Sequence, residues 1–231
     1  MAQRAPGRRS LRDLLDVPAL ERRHGQLASQ HEAEMDAAPA PPTWITDSPV
    51  LARAYSLAES AHRSQRRPTD GRPFLDHVTE VATFLHEAAF DDELVAVGLL
   101  HDAVERGTLS EEELRNEMGE SVTMLVLTLT EDATIDSFEE RKAALRDQVR
   151  AGGGLAVTVF AADKLSDIVG LRRGIQRFGG VIEGRMGTSV DGMAGRYRES
   201  VELIESTRPG SAFLPALRVQ LERLAAESSA S

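Results

Sequence analysis

Two aspartates lie in segments so apolar that each segment is expected to form a buried helix. Asp102 follows the apolar run 94–100, and His101 precedes it directly. Asp163 follows a second apolar run, residues 155–162. A helix that is apolar on nearly all sides is a buried helix, and a carboxylate within it is costly unless a positive group pairs with it. Because two acids in two such helices need a common explanation, we expect their positive partner to be a metal ion.

A set of four side chains could hold that ion. The predicted ligands are His77, His101, Asp102 and Asp163. Imidazole and carboxylate donors without sulfur suit Mn²⁺, Fe²⁺, Zn²⁺ or Mg²⁺, and four protein ligands leave open positions on an octahedral ion where water can become a nucleophile. Glu105 is four residues after His101, one helical turn along the same face, where it could act as an acid or base toward that water. The pattern therefore predicts a metal-dependent hydrolase.

Each of these residues also has a structural interpretation. His77 could be a buried histidine whose hydrogen bonds are satisfied, and Asp163 could pair with Lys142 or Lys164. A single His-Asp pair is common in proteins and by itself indicates no chemistry. The metal hypothesis rests on the combination of these residues and not on any one of them.

Composition limits the classes of function. The 231-residue chain has a formal net charge of −10, which argues against general nucleic-acid binding and means that an anionic substrate needs a local basic pocket or a metal. It has no cysteine, so disulfides, thiolate metal sites and a cysteine nucleophile are excluded. With 41% hydrophobic but only 4% aromatic residues, the core must be built from aliphatic side chains.

Neither a membrane span nor an export signal is expected from the sequence. A transmembrane helix needs about 20 apolar residues, and no such run is present. The arginines near the N-terminus are not followed by the apolar region of a secretory signal. We therefore expect a cytoplasmic chain without a membrane partner.

The N-terminal part of the chain differs from the rest in composition. Residues 1–45 begin basic and end in an Ala/Pro-rich segment, which predicts a flexible or partly helical arm. Within the arm, residues 10–35 have the pattern of an amphipathic helix, although a frayed tail is an equal alternative. Residues 46–227 are expected to form the domain that carries the chemistry.

The domain has the sequence pattern of a helical bundle. Apolar spacing and capping residues predict helices at 49–66, 74–89, 92–106, 110–118, 138–151, 155–174, 194–206 and 212–227. Segment 120–130 has high β-propensity, but no partner strand is evident, so a helix is expected there as well. The segments 66–73 and 179–195 are expected to be loops. The fold class is thus all-α.

The order of the predicted ligands, His then His-Asp then Asp, resembles that of the HD-domain metal-dependent phosphohydrolases. The flanking segments resemble more specifically the RelA/SpoT-type (p)ppGpp hydrolase domain, in its small stand-alone form. Those segments are AHRSQRR (61–67), GRPFLDH (71–77), LLHDAVE (99–105) and ADKLSD (162–167). The similarity extends over roughly residues 50–175 in the same order, and the remaining length would not hold a synthetase domain.

This resemblance implies an HD-domain helical bundle and a role for each motif residue. The metal ligands would be His77, His101, Asp102 and Asp163, with Mn²⁺ as the usual ion. Glu105 would match the first acid of the family's Glu-Asp pair, which assists the attacking water. Arg67 would match a loop arginine near the base and phosphates, and Lys142 a basic residue that precedes the last ligand. The implied activity is hydrolysis of guanosine 3′,5′-bis(diphosphate) at its 3′-pyrophosphate.

Four positions depart from the family pattern. The second acid of the Glu-Asp pair is replaced by Arg106, and the asparagine of the last motif by Asp167. Val78 replaces a proline after the first histidine, and Pro68 replaces a lysine after the loop arginine. These changes touch the substrate side and leave the ligand set intact. We therefore count Arg106 and Asp167 among the substrate-binding candidates. Two alternatives stay open: a phosphohydrolase acting on a different nucleotide or phosphomonoester, and a degenerate HD module that binds without turnover.

Overall fold

The computed structural model describes residues 40–106 and 109–228, and throughout these ranges every regular element is a helix. The predicted arm helix at 10–35 lies outside the described residues. The helices are α1 (Thr43–Thr46), α2 (Pro49–His62), α3 (Phe74–Glu87), α4 (Asp92–Leu100), α5 (Glu111–Leu129), α6 (Phe138–Ala151), α7 (Gly153–Phe178), α8 (Val181–Met186), α9 (Val190–Thr207) and α10 (Leu214–Ser228). The all-α prediction is confirmed.

Side-chain caps fix where several helices begin. Ser48 accepts a hydrogen bond from the Leu51 N–H at the start of α2, whose first residue is Pro49. Ser110 and Glu113 form a reciprocal capping box at the start of α5. Each cap satisfies an N–H group that has no partner within the helix. These caps confirm the starts predicted from the sequence.

The core is aliphatic and surrounds the central helix α7. On α4, every residue from Leu94 to Leu100 is buried, and α7 has buried residues along most of its length. Helix α4 packs against α2 and α3, while α7 packs against α3, α6, α9 and α10. Because both apolar runs are buried, the polar residues that follow them are held inside the protein rather than at its surface.

A glycine allows α3 and α4 to approach closely. A Cβ atom on Gly98 would lie 2.7 Å from Leu85 Cδ1 and 3.2 Å from the Ala82 Cα. Contacts this short with helix backbone cannot be relieved by a side-chain movement alone. The separation of the two helices therefore depends on the missing side chain at this position.

Two predicted helices end earlier than expected. Helix α2 ends at His62 rather than 66, because the chain turns back on itself: the Phe74 N–H donates to the Gln65 carbonyl at 2.8 Å. Helix α4 ends at Leu100 rather than 106, and the residues that follow form tight turns, with the Ala103 N–H donating to the Leu100 carbonyl at 2.9 Å. The His-Asp pair therefore follows the end of a helix instead of lying within one.

Glycines misled the prediction in two segments. The helix expected for 120–130 is confirmed, but it joins the preceding helix as one element, α5, that bends at Gly119 with φ 81°. The segment 179–195, predicted as a loop, contains α8 and the start of α9. Ile182 and Val190 are buried there, so two apolar anchors fix a segment whose glycine content suggested irregular structure.

The described part of the chain begins before the predicted domain boundary at residue 46. In α1, Ile45 is completely buried, and the Trp44 ring stacks on His86 with 4.2 Å between ring centroids and 9° between planes. Within the described residues the compact unit begins at Ala40, so Trp44 and Ile45 pack with the domain, and the boundary at 45/46 stays a prediction. Among the described helices, none has an apolar stretch long enough to cross a membrane.

Candidate metal centre

Three helices bring polar side chains together in the core. His77 projects from α3, His101 follows α4, and Asp163 lies on α7. Asp163 Oδ1 lies 3.3 Å from His77 Nε2 and 3.5 Å from His101 Nε2. The three donor atoms all lie within 4.8 Å of one another, a spacing that ligands about 2 Å from one shared cation would show.

Asp102 completes the predicted set. Its Oδ2 lies 3.8 Å from His77 Nε2 and 3.8 Å from His101 Nε2. The structure thus brings all four predicted ligands together from segments that are far apart in sequence. Their role as ligands remains a prediction.

His77 is oriented by a relay of hydrogen bonds between α3 and α7. Its Nδ1 lies 2.9 Å from Ser166 Oγ, and that hydroxyl donates to Glu80 Oε2 at 2.7 Å. Since the hydroxyl proton is given to the carboxylate, the serine oxygen accepts from Nδ1–H of the histidine. The Nε2 lone pair of His77 is then free to face Asp163, as a metal ligand requires.

His101 is oriented by the backbone of α4. Its Nδ1 donates to the Gly98 carbonyl at 2.9 Å, because a carbonyl oxygen can only accept. Its Nε2 is buried and, among the described atoms, makes no hydrogen bond. A buried nitrogen without a hydrogen-bond partner, close to the Nε2 of His77 and to two carboxylates, fits a bound divalent cation.

The electrostatics of the centre favour a positive charge. Burial alone would lower the pKa of His101, but the adjacent carboxylates of Asp102 and Asp163 raise it to about 9. Burial likewise opposes ionisation of Asp163, but Lys164 and the two histidines hold the pKa of that carboxyl well below its usual range. The acids are therefore ionised, and a metal ion that binds here must displace a proton from imidazole.

One predicted structural pairing is present without excluding a metal. Lys164 Nζ lies 2.7 Å from Asp163 Oδ2, whereas Oδ1 of the same carboxylate faces the two histidines. Lys142 does not reach Asp163; its ammonium donates to Glu131 Oε1. Asp163 can thus pair with the lysine through one oxygen and coordinate a metal ion through the other.

Glu105 lies at the edge of this centre. Its Oε2 accepts a hydrogen bond from the Glu131 N–H at 3.3 Å, and its side chain lines a cavity that opens beside the ligands. Desolvation by the cavity walls and the negative charges of Asp102 and Glu131 raise the pKa of Glu105. A carboxylate with a raised pKa is a stronger base, which suits the predicted role.

Arg106, which replaces the expected acid, faces the same region. Its Nε lies 3.6 Å from Asp102 Oδ2, and its guanidinium carbon lies 3.9 Å from the centroid of the Phe74 ring. Stacking on an aromatic ring and attraction to a carboxylate hold the guanidinium beside the centre. A positive charge therefore occupies the position where the resemblance implies a negative one.

Arg67 lies in the cavity wall but is only 3% exposed. Its Nη2 donates to the Ser166 carbonyl at 3.0 Å and lies 3.7 Å from Asp167 Oδ1, and its Nη1 lies 3.6 Å from Glu80 Oε2. A Cβ on Gly170 would lie 2.3 Å from this guanidinium, so the arginine needs the glycine beneath it. The contacts of Arg67 thus join its loop to α7 and to the carboxylate that orients His77.

The other two substrate-binding candidates also line the cavity. Asp167 Oδ2 accepts from Lys164 Nζ at 2.9 Å, so it shares that lysine with Asp163. Lys142 is held by Glu131, which also accepts from Arg141 Nε at 2.8 Å. Glu131 was not predicted from the sequence, and its pKa is lowered: burial opposes ionisation, but Lys142 and Arg141 outweigh it.

The cavity has a volume of about 260 Å³ and extends from the centre to α6 and α9. Several residues that sequence reasoning missed line it, namely Phe138, Arg146, Lys164 and Ser200. Arg196 and Tyr197 of α9 also line it. The available signal was the four-residue spacing of Lys142 and Arg146, which places both on one face of α6.

Comparisons with known proteins agree with this geometry. The family model described as HD domain matches residues 54–154. Human guanosine-3′,5′-bis(diphosphate) 3′-pyrophosphohydrolase MESH1 is 33% identical over 131 residues, which cover 55% of this chain and 73% of MESH1. A GTP pyrophosphokinase of Streptomyces coelicolor is 38% identical over 100 residues, but the chain spans only 11% of that protein's length.

A solved structure has the same fold. It is that of a metazoan ortholog of SpoT described as hydrolysing ppGpp; it superimposes with a TM-score of 0.61 at 25% identity and covers 81% of this chain and 96% of its own. The likeness to MESH1 extends over most of that protein. The chain therefore belongs to the HD-domain family of metal-dependent phosphohydrolases, in the group of the SpoT-type (p)ppGpp hydrolases.

Proposed function

We propose that this protein hydrolyses guanosine 3′,5′-bis(diphosphate), releasing pyrophosphate from the 3′ position. The observation that carries the proposal is the meeting of His77, His101, Asp102 and Asp163 beside a cavity with basic walls. The names of the human relative and of the metazoan structural neighbour support this choice of substrate. We further propose that the protein acts on free nucleotides in the cytoplasm.

The proposed ion is Mn²⁺, held by His77, His101, Asp102 and Asp163. Their nitrogen and oxygen donors suit it, and both imidazoles are oriented by hydrogen bonds from their other nitrogen. When bound, such a cation supplies Lewis-acid chemistry and lowers the pKa of water. The Lys164 ammonium keeps Asp163 ionised and its second oxygen occupied.

Glu105 is the proposed general base. It would take a proton from a water molecule as the water oxygen forms its bond to the phosphorus attached to the ribose 3′ oxygen. The bond between that phosphorus and the 3′ oxygen breaks, and the protonated Glu105 returns its proton to the leaving 3′ oxygen. The raised pKa of Glu105 makes it a better proton acceptor than an ordinary carboxylate.

The remaining candidates would bind the substrate. Arg106 lines the cavity close to the ligands and can neutralise phosphate oxygens, whereas Lys142, which is paired with Glu131, adds positive charge to the same cavity without direct contact. We propose that Arg67 and Asp167 act mainly by shaping the wall, since each is already paired with groups of the protein. These assignments rest on position and charge.

The position of Arg106 also favours a second candidate function. A guanidinium 3.6 Å from Asp102 could form an ion pair with Glu105 and lower the basicity of that carboxylate. Alternatively, it could select a different phosphorylated substrate. Replacing it by aspartate restores the acidic pair of the family. If the protein is a weakened (p)ppGpp hydrolase, Arg106→Asp raises that activity; if it is adapted to another phosphorylated substrate, the same change lowers activity on that substrate.

The test is a product assay. The protein, loaded with Mn²⁺, is incubated with guanosine 3′,5′-bis(diphosphate) and a panel of nucleotides and phosphomonoesters, and the products are separated by ion exchange. We expect GDP and pyrophosphate from the first substrate, and no turnover after removal of metal. If neither the wild type nor Arg106→Asp converts any compound with metal bound, the protein is a binding module.

A further inference from the structure

A second wall of the cavity carries positive charge of its own. Helix α6 contributes Lys142 and Arg146, which are four residues apart on one face, and α9 contributes Arg196. We call these two helix faces the α6–α9 wall. It carries none of the predicted metal ligands, which come from α3, α7 and the turn after α4. This group of three cations on one cavity wall occurs in a chain whose formal net charge is −10.

The two arginines of this wall are paired across the helices in a reciprocal way. Arg146 on α6 bonds Glu199 on α9, with Nη2 2.8 Å from Oε2. Arg196 on α9 bonds Glu139 on α6, with Nη1 3.2 Å from Oε1. Neither glutamate lines the cavity, so each pair joins one residue of the cavity wall to one residue outside it.

The exposure of the four side chains shows which way each pair faces. The arginine side chains are 18% and 22% exposed, whereas Glu199 and Glu139 are 55% and 67% exposed. An ion pair with one carboxylate in water is weak, because water screens the charge and the long side chain is only loosely held. A phosphate group, by contrast, can accept two parallel hydrogen bonds from one guanidinium. The arginines can therefore exchange their carboxylates for phosphate at little cost.

Lys142, the third cation, is held differently. Its partner Glu131 has a side chain that is only 8% exposed and is shared with Arg141. Breaking that pair would leave a nearly buried carboxylate with less compensation. Arg146 and Arg196 are consequently the cations of this wall that are available for a ligand.

We propose that Arg146 and Arg196 form a clamp for the 5′-phosphate chain of the nucleotide. The inference rests on the proposed function, in which the 3′-diphosphate lies at the metal centre. A guanosine with phosphates at both ends brings two separate anionic groups, and one metal centre can serve only one of them. The clamp makes the affinity depend on the number of 5′ phosphates, and it makes Arg146 and Arg196 specificity-determining residues.

The competing explanation is that both pairs only tie α6 to α9. The chain offers matched controls that separate the two, because each pair has one member in the cavity wall and one outside it. If the pairs serve only to hold α6 against α9, Glu199→Gln and Glu139→Gln should reduce nucleotide affinity as much as replacing the arginines does. If the arginines bind phosphate, removing the glutamates frees them, and affinity stays equal or increases.

The experiment measures binding without turnover. In a Glu105→Gln background loaded with Mn²⁺, dissociation constants are determined by calorimetry for guanosine 3′-diphosphates with one, two or three 5′ phosphates. We expect affinity to rise with each added phosphate. The double change Arg146→Gln/Arg196→Gln should weaken the binding of the 5′-diphosphate compound about tenfold or more and the 5′-monophosphate compound less, so that the dependence on chain length largely disappears. The melting temperature of each variant shows how much the ion pairs between α6 and α9 contribute to the stability of the fold.

Two results would overturn the clamp. One is an unchanged dependence on 5′-chain length after loss of both arginines. The other is an equal loss of affinity in the Glu139→Gln/Glu199→Gln protein. Failure of the proposed hydrolysis would appear elsewhere, as a wild type that binds these nucleotides and releases no pyrophosphate.

Discussion

The two walls of the cavity differ in how deeply their polar side chains are buried and in how firmly those side chains are held. The metal wall, comprising His77, His101 and Asp163, consists of residues that are at most 9% exposed and are fixed by hydrogen bonds or ion pairs within the protein. In the α6–α9 wall, by contrast, Arg146 and Arg196 are paired with glutamates whose side chains are largely exposed to water. Buried polar groups are costly to disturb, whereas exposed ion pairs contribute little to stability.

This difference teaches where the protein can change and where it cannot. A substitution in the metal wall leaves buried charges without partners and so affects folding and chemistry together. Replacing Arg146 or Arg196 in the α6–α9 wall removes a weak pair, and we expect it to affect mainly what binds there. We therefore expect the reaction type to depend on the metal wall and the choice of substrate on these two arginines.

The largest expected effect is loss of the metal on removing its carboxylate. Asp163→Ala should reduce bound metal from about one ion per chain to near zero, because Oδ1 faces both imidazoles. The remaining buried charges should also lower the melting temperature. Asp167→Ala is the matched control, since it lies one turn along the same helix and shares Lys164. Metal analysis that gives equal content in the wild type and Asp163→Ala would exclude this carboxylate as a ligand.

The next effect concerns catalysis at the junction of the two walls. Glu105→Gln should keep the metal and lose about 10²–10⁴-fold in turnover, the usual contribution of a positioned acid or base. Metal content and turnover number are measured on the same preparation. Full activity in this variant would show that another group accepts the proton and that Glu105 is not the general base.

The two walls should also respond to different solution conditions. Because the pKa of His101 is raised to about 9, the imidazole carries a second proton below that pH, and the metal must displace it. Metal affinity should therefore fall as pH falls, by up to about tenfold for each pH unit below 9. Nucleotide binding at the arginines should instead weaken with salt, since guanidinium does not titrate in this range. A metal affinity independent of pH between 6 and about 8 would contradict this view of the metal wall.

The smallest effect is expected far from both walls. Deleting residues 1–39 should leave turnover and the melting temperature nearly unchanged. Extending the deletion to 1–44 also removes Trp44, whose stack on His86 is worth about 1 kcal/mol, and should lower the melting temperature by a further 2–4 °C or so. Calorimetric scans of the two truncated proteins test this. A large drop in the first truncation would mean that the N-terminal segment contributes to the fold.

The metal wall was predictable from the sequence and the α6–α9 wall was not, for a physical reason. An acid that ends an apolar run is a local signal, since burial of the run forces the acid inside. The ion pairs of the second wall join α6 to α9, and the spacing of residues within one helix does not predict which residues of the other helix they contact. Ser166 and Glu80, which orient His77, were missed for the same reason: they meet only through tertiary packing.

The errors in the helix boundaries have a similar origin. The turn that begins at His101 was predicted as helix because its residues continue an apolar pattern, and only the backbone hydrogen bonds show that α4 has ended. Helix α8 was predicted as loop because glycine lowers local helix propensity, although buried Ile182 fixes the segment. Propensity describes a segment alone, and packing decides the outcome.

Gly98 contributes both to the packing of α4 against α3 and to the orientation of His101. Its missing side chain lets α4 lie close against α3, and its carbonyl oxygen accepts the hydrogen bond that turns His101 toward His77. We therefore expect the docking of these two helices and the assembly of the ligand pair to occur together during folding. The chain should be unable to capture its ion before the helices have docked, and metal uptake during refolding should report the moment at which the core closes.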